Sequence, residues 1–200
     1  MKKTLALVLT LVLLVSCAFA EGTQTFVSDT GLFTFEYPAD YLALSDSDVA
    51  EILADPDRLK ALADSGMDTE FLAGMDFSKC ECVYAADFVG NMNIICQPDS
   101  GLTPELMVSL ENELVEFVKQ QYRSMGVTED DMHYYGILSI GENRFLTLEF
   151  IYLGIDMVLC LTADANGNIY YLTFTEYDAD AMMMTLESFK TAVQLADAAA

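Results

Sequence analysis

The fold of this chain is set by residues 132–177, which read MHYYGILSIGENRFLTLEFIYLGIDMVLCLTADANGNIYYLTFTEY. Apolar and polar residues alternate through much of this segment, as they do in strands that place successive side chains on opposite faces of a sheet. The pair Asn166-Gly167 is typical of a two-residue turn between antiparallel strands, and we predict a preceding turn at Leu153-Gly154. The segment therefore predicts an antiparallel meander.

The two turns also predict how the strands align. A hairpin about the second turn places Leu161 opposite Leu172 and Leu159 opposite Phe174. We predict that these residues form one apolar face together with Ala163 and Tyr170. A hairpin about the first turn places Leu146 opposite Leu161, Leu148 opposite Leu159, and Phe150 opposite Met157. A shift of one residue would move all of these side chains to the other face. That other face is mixed in polarity: Thr147, Glu149, Val158, Cys160, Tyr171 and Thr173.

Shorter elements surround the meander. Pro38 ends an N-terminal hairpin, because proline has no N–H for a strand ladder. Thr103 and Gly126 bound a central helix. In chain order we predict a hairpin over 25–37, helical pieces over 45–74, strands over 80–88 and 92–96, a helix over 103–126, and a terminal helix from about residue 179. This mixture predicts an α+β fold, with an antiparallel sheet of about six strands or more flanked by helices.

Two of the helices carry an apolar stripe, and such a stripe predicts the face that packs on a sheet. The stripe of the central helix consists of Leu106, Leu110, Leu114, Phe117 and Met125. The stripe of the terminal helix consists of Met182, Leu186, Phe189 and Val193. We expect both sets of side chains to be buried.

The first 20 residues have the features of a secretory signal peptide. Two lysines precede an apolar run over residues 5–15, which is too short to span a bilayer, since a span takes about 20 apolar residues. We expect cleavage after Ala20, which releases a single α+β domain over residues 21–197 with no membrane span. The sequence Leu-Val-Ser-Cys that ends at Cys17 also fits lipid attachment, so a surface lipoprotein is the alternative.

The charge of the chain is strongly acidic. It has 9 basic and 32 acidic residues and a net charge of −23; without Lys2 and Lys3 the balance is 7 against 32 and the net charge −25. Nucleic acid is excluded as a partner, because phosphate binding requires clustered basic side chains. Anionic surfaces are repelled and cationic partners are favoured. Acidity also keeps an exported protein soluble, which is our main interpretation.

The opening of the mature chain resembles that of PsbP-like domains. Residues 31–41, GLFTFEYPADY, predict a short strand that ends in proline and is followed by an aromatic residue. Residues 186–190, LESFK, on a terminal helix after a meander, are similar to the close of those domains. The resemblance implies an α/β/α sandwich, although Tyr41 stands where tryptophan is common. Members of that family act as accessory, binding or assembly modules, and the resemblance carries over no catalytic residue.

Carboxylates are the first candidates for a metal site. Asp46, Asp48 and Glu51 could hold a divalent cation, as could the acidic run over residues 129–131. We favour helix capping and a solvated loop for these groups, because carboxylates stabilise the start of a helix. Asp164 resembles the first residue of a calcium loop, but the twelfth position is Thr175 where such loops need glutamate. A hairpin turn explains that segment better.

Cysteine and histidine offer few further sites. Beyond the signal segment, four cysteines allow one or two disulfides or buried thiols: Cys80, Cys82, Cys96 and Cys160. Cys80, Cys82 and Cys96, with the methionines at 182–184, are a weaker candidate for a soft-metal site, although the spacing of these cysteines differs from that of zinc ligands. His133 is the only histidine in the chain, and nothing in the sequence places it beside a cysteine nucleophile.

No catalytic or cofactor motif is present in the sequence, and we expect no cofactor. The sequence predicts an exported bacterial binding or accessory protein that acts without catalysis. Its partner would be a protein or small ligand outside the cell, held by the mixed sheet face or by a groove between helix and sheet. The alternative is a small extracytoplasmic hydrolase that uses a pair of acidic residues, with these tyrosines as a platform for sugar: Tyr134, Tyr135, Tyr170 and Tyr171.

Overall fold

A computed structural model describes residues 22–64, 80–84 and 90–198. The predicted signal segment, including Cys17 and Ala20, lies outside the described residues. Within the described ranges, none of the helices has both the length and the hydropathy that crossing a membrane requires.

Strands and helices alternate irregularly along the chain. The strands are β1 Thr23–Val27, β2 Phe33–Pro38, β3 Leu42–Leu44, β4 Cys80–Tyr84, β5 Asn91–Gln97, β6 Met132–Ile140, β7 Asn143–Tyr152, β8 Ile155–Ala163, β9 Ile169–Thr175 and β10 Lys190–Thr191. The helices are α1 Asp46–Ala54, α2 Pro56–Asp64, α3 Pro104–Ser109, α4 Glu111–Ser124, α5 Ala179–Ser188 and α6 Ala192–Ala198, with a 3₁₀ turn at Glu129–Asp131. The predicted α+β class is confirmed.

The strands form two sheets. The large sheet has seven strands in the order β3-β4-β5-β9-β8-β7-β6, and its described neighbours pair antiparallel. The small sheet has the order β1-β2-β10. The N-terminal hairpin is therefore confirmed, and a strand near the end of the chain extends it.

Both faces of the large sheet are buried. On one face, β2 and α5 contribute Phe35 and Leu186 to a core that contains Leu172 of β9. On the other face, α3 and α4 contribute Met107 and Val118 to a second core. One flanking layer is thus helical, while the other combines the small sheet with α5. This is why an alternation between apolar and polar faces is weak in the central strands.

The predicted register between β8 and β9 is wrong by one residue. Leu172 lies opposite Cys160 instead of Leu161, and Phe174 lies opposite Val158. Tyr170 therefore shares a face with Leu172, while Leu161 points into the other core. The reason is that the turn spans residues 164–168, because Ala163 pairs with Ile169. Since both faces are buried, polarity did not distinguish the two registers.

The turn between β7 and β8 has the predicted form. Leu146 pairs with Leu161, and Tyr152 pairs with Ile155, which leaves Leu153-Gly154 as a two-residue turn. Both turn residues have positive φ, 55° at Leu153 and 82° at Gly154. This is the conformation of a type I′ turn, which disfavours leucine and favours asparagine at the first position.

Leu153→Asn is expected to stabilise the protein by about 0.5–1 kcal/mol, because the left-handed conformation strains leucine more than asparagine. Leu153 is 83% exposed, so the change removes little packing. Urea unfolding followed by circular dichroism measures the difference. An unchanged or lower free energy of unfolding would contradict the turn geometry.

The central helix is broken, and its predicted buried face is wrong. It divides at Leu110, whose φ of −108° and ψ of 21° are not helical. Backbone hydrogen bonds from Leu110 to Leu106 and from Leu114 to Leu110 still continue across this residue, and Met107, Val115 and Val118 face the core instead of the predicted stripe. Four members of the predicted stripe are exposed: Leu106 44%, Leu110 40%, Phe117 62% and Met125 47%. Leu114 is partly buried against the core.

The terminal helix ends earlier than predicted. Phe189 has an extended ψ of 124°, so α5 stops at Ser188. Leu186 and Phe189 are buried as predicted, each 1% exposed. Lys190 and Thr191 then pair with Thr34 and Phe33 of β2. Because of this strand, Val193 lies in the separate helix α6.

Candidate functional site

The best-formed concave site is a cleft between α5, β2 and the β5–β9 part of the large sheet. Its volume is about 350 Å³, its mouth to solvent included. Aromatic and sulfur-containing side chains dominate its lining: Tyr37, Tyr41, Met92, Phe174, Tyr177 and Met182. We call these residues the tyrosine cleft. Only about 30 Å³ of this space is free within the walls as they stand, well below the range of ligand pockets, so the cleft suits a single side-chain group rather than a large ligand.

Alternation in β2 brings Tyr37 to the cleft. Phe33 and Phe35 lie on the same side of this strand and are each 2% exposed, while Tyr37 follows them at the end of the row. Its hydroxyl donates to Oε1 of Gln24 at 3.0 Å, and burial raises the pKa of Tyr37. Tyr37 is therefore a neutral, oriented phenol at the wall of the cleft.

The chain after β9 forms the opposite wall. The rings of Phe174 and Tyr177 pack edge to face with centroids 6.5 Å apart. Asp178 then caps α5, because its Oδ1 accepts from the backbone N–H of Ala181 at 2.9 Å. Gly90 permits close approach here, since a Cβ on it would lie 2.7 Å from the carbonyl oxygen of Glu176. Asp178 supplies the carboxylate among the described lining residues, and that group is committed to the helix cap.

A polar aromatic cluster lies on the outer strands of the large sheet, near Tyr177. The hydroxyl of Tyr135 donates to Oε2 of Glu149 at 2.5 Å. The rings of His133 and Tyr135 pack edge to face with centroids 4.5 Å apart. Burial raises the pKa of Tyr177, and the negative charges of Glu149 and Asp156 raise it further. Tyr177 thus lines the cleft and also lies close enough to Glu149 for the two side chains to interact electrostatically.

His133 and the described cysteines do not form a nucleophilic pair. Cys160 is 1% exposed, and its Sγ lies 3.9 Å from Oγ1 of Thr147. His133 lies on the exposed side of β6. Cys96 is also a buried thiol. The side chains of Cys80 and Cys82 lie outside the described residues, so the predicted thiol cluster and disulfide pairings stay predictions.

Burial raises the pKa of Cys160 to about 12. Because the thiolate is the reactive form, we expect native Cys160 to resist iodoacetamide at pH 8. Unfolding in urea should restore the ordinary thiol pKa and rapid alkylation. Peptide mass mapping after timed labelling checks this, and equal rates in the native and unfolded states would contradict it.

The proposed carboxylate metal ligands are engaged in helix capping and ion pairing. Oδ2 of Asp48 accepts from the backbone N–H of Ser45 at 2.9 Å, while the backbone N–H of Asp48 donates to Oγ of Ser45 at 3.3 Å. Glu51 pairs with Arg58 at 3.8 Å. The side chain of Asp46 lies outside the described residues. Across 22–64, 80–84 and 90–198, no three His, Cys, Asp or Glu side chains form a metal-binding group.

Asp164 organises the turn between β8 and β9. It is 3% exposed, and its Oδ1 accepts from the backbone N–H groups of Asn166 and Asn168 at 2.9 and 3.0 Å. Its Oδ2 accepts from Nδ2 of Asn168 at 2.8 Å and from the hydroxyl of Tyr170 at 2.9 Å. The turn therefore uses both carboxylate oxygens internally.

Comparison with known proteins extends to the fold alone. No family model and no curated protein matches this sequence. The structure is similar to a crystal structure of a protein from Bacteroides thetaiotaomicron VPI-5482, with a TM-score of 0.50 and 14% sequence identity. The alignment covers 86% of this chain and 49% of that one, so this chain spans about half its length. The resemblance to PsbP-like domains stays a prediction.

Proposed function

We propose that this chain is an exported bacterial binding module that acts without catalysis and takes one aromatic or aliphatic group of its partner into the tyrosine cleft. The observation that carries the proposal is the lining itself, in which three tyrosines meet Met92, Met182 and Phe174 around an open mouth. Apolar walls with a few phenol groups are typical of sites that bind rings or alkyl chains.

The position of the cleft also supports binding. It lies between a helix and a sheet, and the residues that form it come from β2, β5, β9 and α5. Tyr37, Met92, Phe174 and Met182 lie on regular elements, which hold side chains more rigidly than loops do, while Tyr41 and Tyr177 lie in connecting segments. Tyr37 is 7% exposed and Met92 is 6% exposed, so these two side chains are already ordered before a ligand enters.

A hydrolase that uses acidic residues is the alternative function. Such an enzyme requires two carboxyl groups on opposite sides of the scissile bond. In the tyrosine cleft, Asp178 is the described lining carboxylate, and it caps α5. The geometry of the cleft therefore favours binding over hydrolysis.

Titration with N-phenyl-1-naphthylamine, a neutral fluorescent probe whose phenyl ring is the group expected to enter the cleft while the naphthalene rests at its mouth, tests the proposal. The chain contains no tryptophan, so the probe signal is free of indole fluorescence. We expect saturable binding of one probe per chain, weakened at least tenfold by Met182→Gln and by Ala181→Leu, which fills the cleft. Met183→Gln is the matched control, because Met183 is exposed and does not line the cleft.

Equal weakening by Met182→Gln and Met183→Gln, or the absence of saturable binding, would overturn the proposal. Activity against 4-nitrophenyl glycosides or esters that is lost in Asp178→Asn would replace it with the hydrolase. Secretion is tested separately by the mass of the mature N-terminus, where a diacylated Cys17 would establish the lipoprotein instead of cleavage after Ala20.

A further inference from the structure

The outer surface of α3 and α4 carries an apolar ridge, formed by Leu106, Leu110, Phe117 and Met125. Each of these side chains is at least 40% exposed. Leu106, Leu110 and Phe117 follow one another at separations of four and seven positions, which places them on one side of a helical path, and Met125 lies at the end of α4. The opposite side of the same helices packs on the large sheet. The ridge is therefore an apolar surface in addition to the core, and it lies on the other side of the sheet from the tyrosine cleft.

Negative charge surrounds this ridge. Residues 103–131 contain seven acidic side chains and two basic ones, Lys119 and Arg123. Lys119 pairs with Glu129 at 2.9 Å, while Arg123 pairs with Glu129 and, at 3.5 Å, with Glu116. Both basic groups are thus neutralised within the helix and the 3₁₀ turn.

Glu105 and Glu113 lie on α3 and α4, the helices that carry the ridge. Both are exposed, and no described basic side chain forms an ion pair with either of them. Glu113 precedes Phe117 by four positions, so the carboxylate and the ring lie next to each other on the helix surface. A partner that covers Phe117 must therefore also meet negative charge.

The charge determines what kind of partner fits. A second copy of this chain, itself at −23, would place carboxylates against carboxylates. Nucleic acid and anionic membranes are repelled for the same reason. We propose that the ridge docks a basic amphipathic helix of a protein partner, whose apolar face covers Leu110 and Phe117 and whose lysines or arginines meet Glu105 and Glu113. This surface is independent of the proposed function of the cleft.

Fluorescence anisotropy of the full chain with a labelled 18-residue helical peptide of leucine and lysine tests the proposal. The leucines occupy one face of the peptide and the lysines the other. We expect Phe117→Ser and Glu113→Lys each to raise the Kd at least tenfold, and added salt to weaken binding. Glu142→Lys is the matched control for charge, since Glu142 is exposed in the turn between β6 and β7. Leu153→Asn is the control for exposed apolar area.

Several results would overturn the proposal. One is equal binding of a peptide with the same composition but with leucine and lysine mixed on both faces. A second is an equal effect of Glu113→Lys and Glu142→Lys. Sedimentation equilibrium that shows a dimer abolished by Phe117→Ser would assign the ridge to a second copy, and binding to phosphatidylcholine vesicles abolished by that variant would assign it to a membrane. Unchanged circular dichroism of Phe117→Ser excludes misfolding, and unchanged probe binding at the cleft separates the two surfaces.

Discussion

Replacing Asp164 by alanine is expected to lower the free energy of unfolding by about 3–5 kcal/mol, because it leaves several buried donors without an acceptor. The carboxylate accepts four hydrogen bonds and is 3% exposed. Of the groups that donate to it, Asn168 and Tyr170 are buried, so water cannot replace the lost acceptor without opening the turn. Urea unfolding followed by circular dichroism measures the loss.

Asp156→Ala is the matched control, since Asp156 is an exposed aspartate at the start of β8, the strand that leads into the turn at Asp164. We expect it to change stability by less than about 0.5 kcal/mol, as surface substitutions usually do. Tyr170→Phe removes one of the four donors and should cost about 1–2 kcal/mol. If Asp164→Ala cost no more than Asp156→Ala, Asp164 would not organise the turn.

Phe189→Ala is expected to cost about 3–5 kcal/mol, which is typical for the truncation of a buried aromatic ring. Phe189 is 1% exposed, and its ring lies 5.7 Å from Phe33, 5.5 Å from Tyr170 and 6.3 Å from Phe145, measured between centroids. It therefore joins the small sheet to the large one. Thermal and urea unfolding of the variant measure the cost.

Phe117→Ala provides the control for Phe189→Ala, because the ring of Phe117 is 62% exposed and its removal should cost less than about 0.5 kcal/mol. A double-mutant cycle with Phe33→Ala should give a coupling of about 0.5–1.5 kcal/mol. Additive effects of the two substitutions would show that the rings stabilise the protein separately rather than by joining the sheets.

The sequence predicts strands in this chain better than it predicts faces. The N-terminal hairpin and the turn at Leu153-Gly154 are confirmed, because each has a local signal that tertiary contacts do not override. The register of β9 was wrong because apolar residues occur on both sides of β8 and because Asp164 enlarges the turn through hydrogen bonds to residues 166–170. These hydrogen bonds form because Asp164 is buried in the folded chain, and the alternation of apolar and polar residues does not show that burial.

The same limit applies to helices and to the site. Apolar residues occur on two sides of the central helix, so their pattern did not show which side packs on the sheet, and no proline or glycine marks the break at Leu110. Tyr37, Met92 and Met182 come from three separate elements, and each taken alone has the pattern of a core residue. The tyrosine cleft therefore emerges only from the tertiary fold, whereas Asp48, Glu51 and Glu129, which stood out in the sequence, serve in a helix cap and in ion pairs.

The pairing of β10 with β2 has a consequence for the time at which this protein folds. Thr34 pairs with Lys190, although most of the chain separates the two residues in the sequence. A nascent chain in which only the N-terminal hairpin has been synthesised lacks both the third strand of the small sheet and the ring of Phe189. Contacts between distant segments form late, because closing a long loop costs entropy before any contact repays it. The small sheet is therefore completed only after Lys190 and Thr191 have been synthesised, later than every strand of the large sheet.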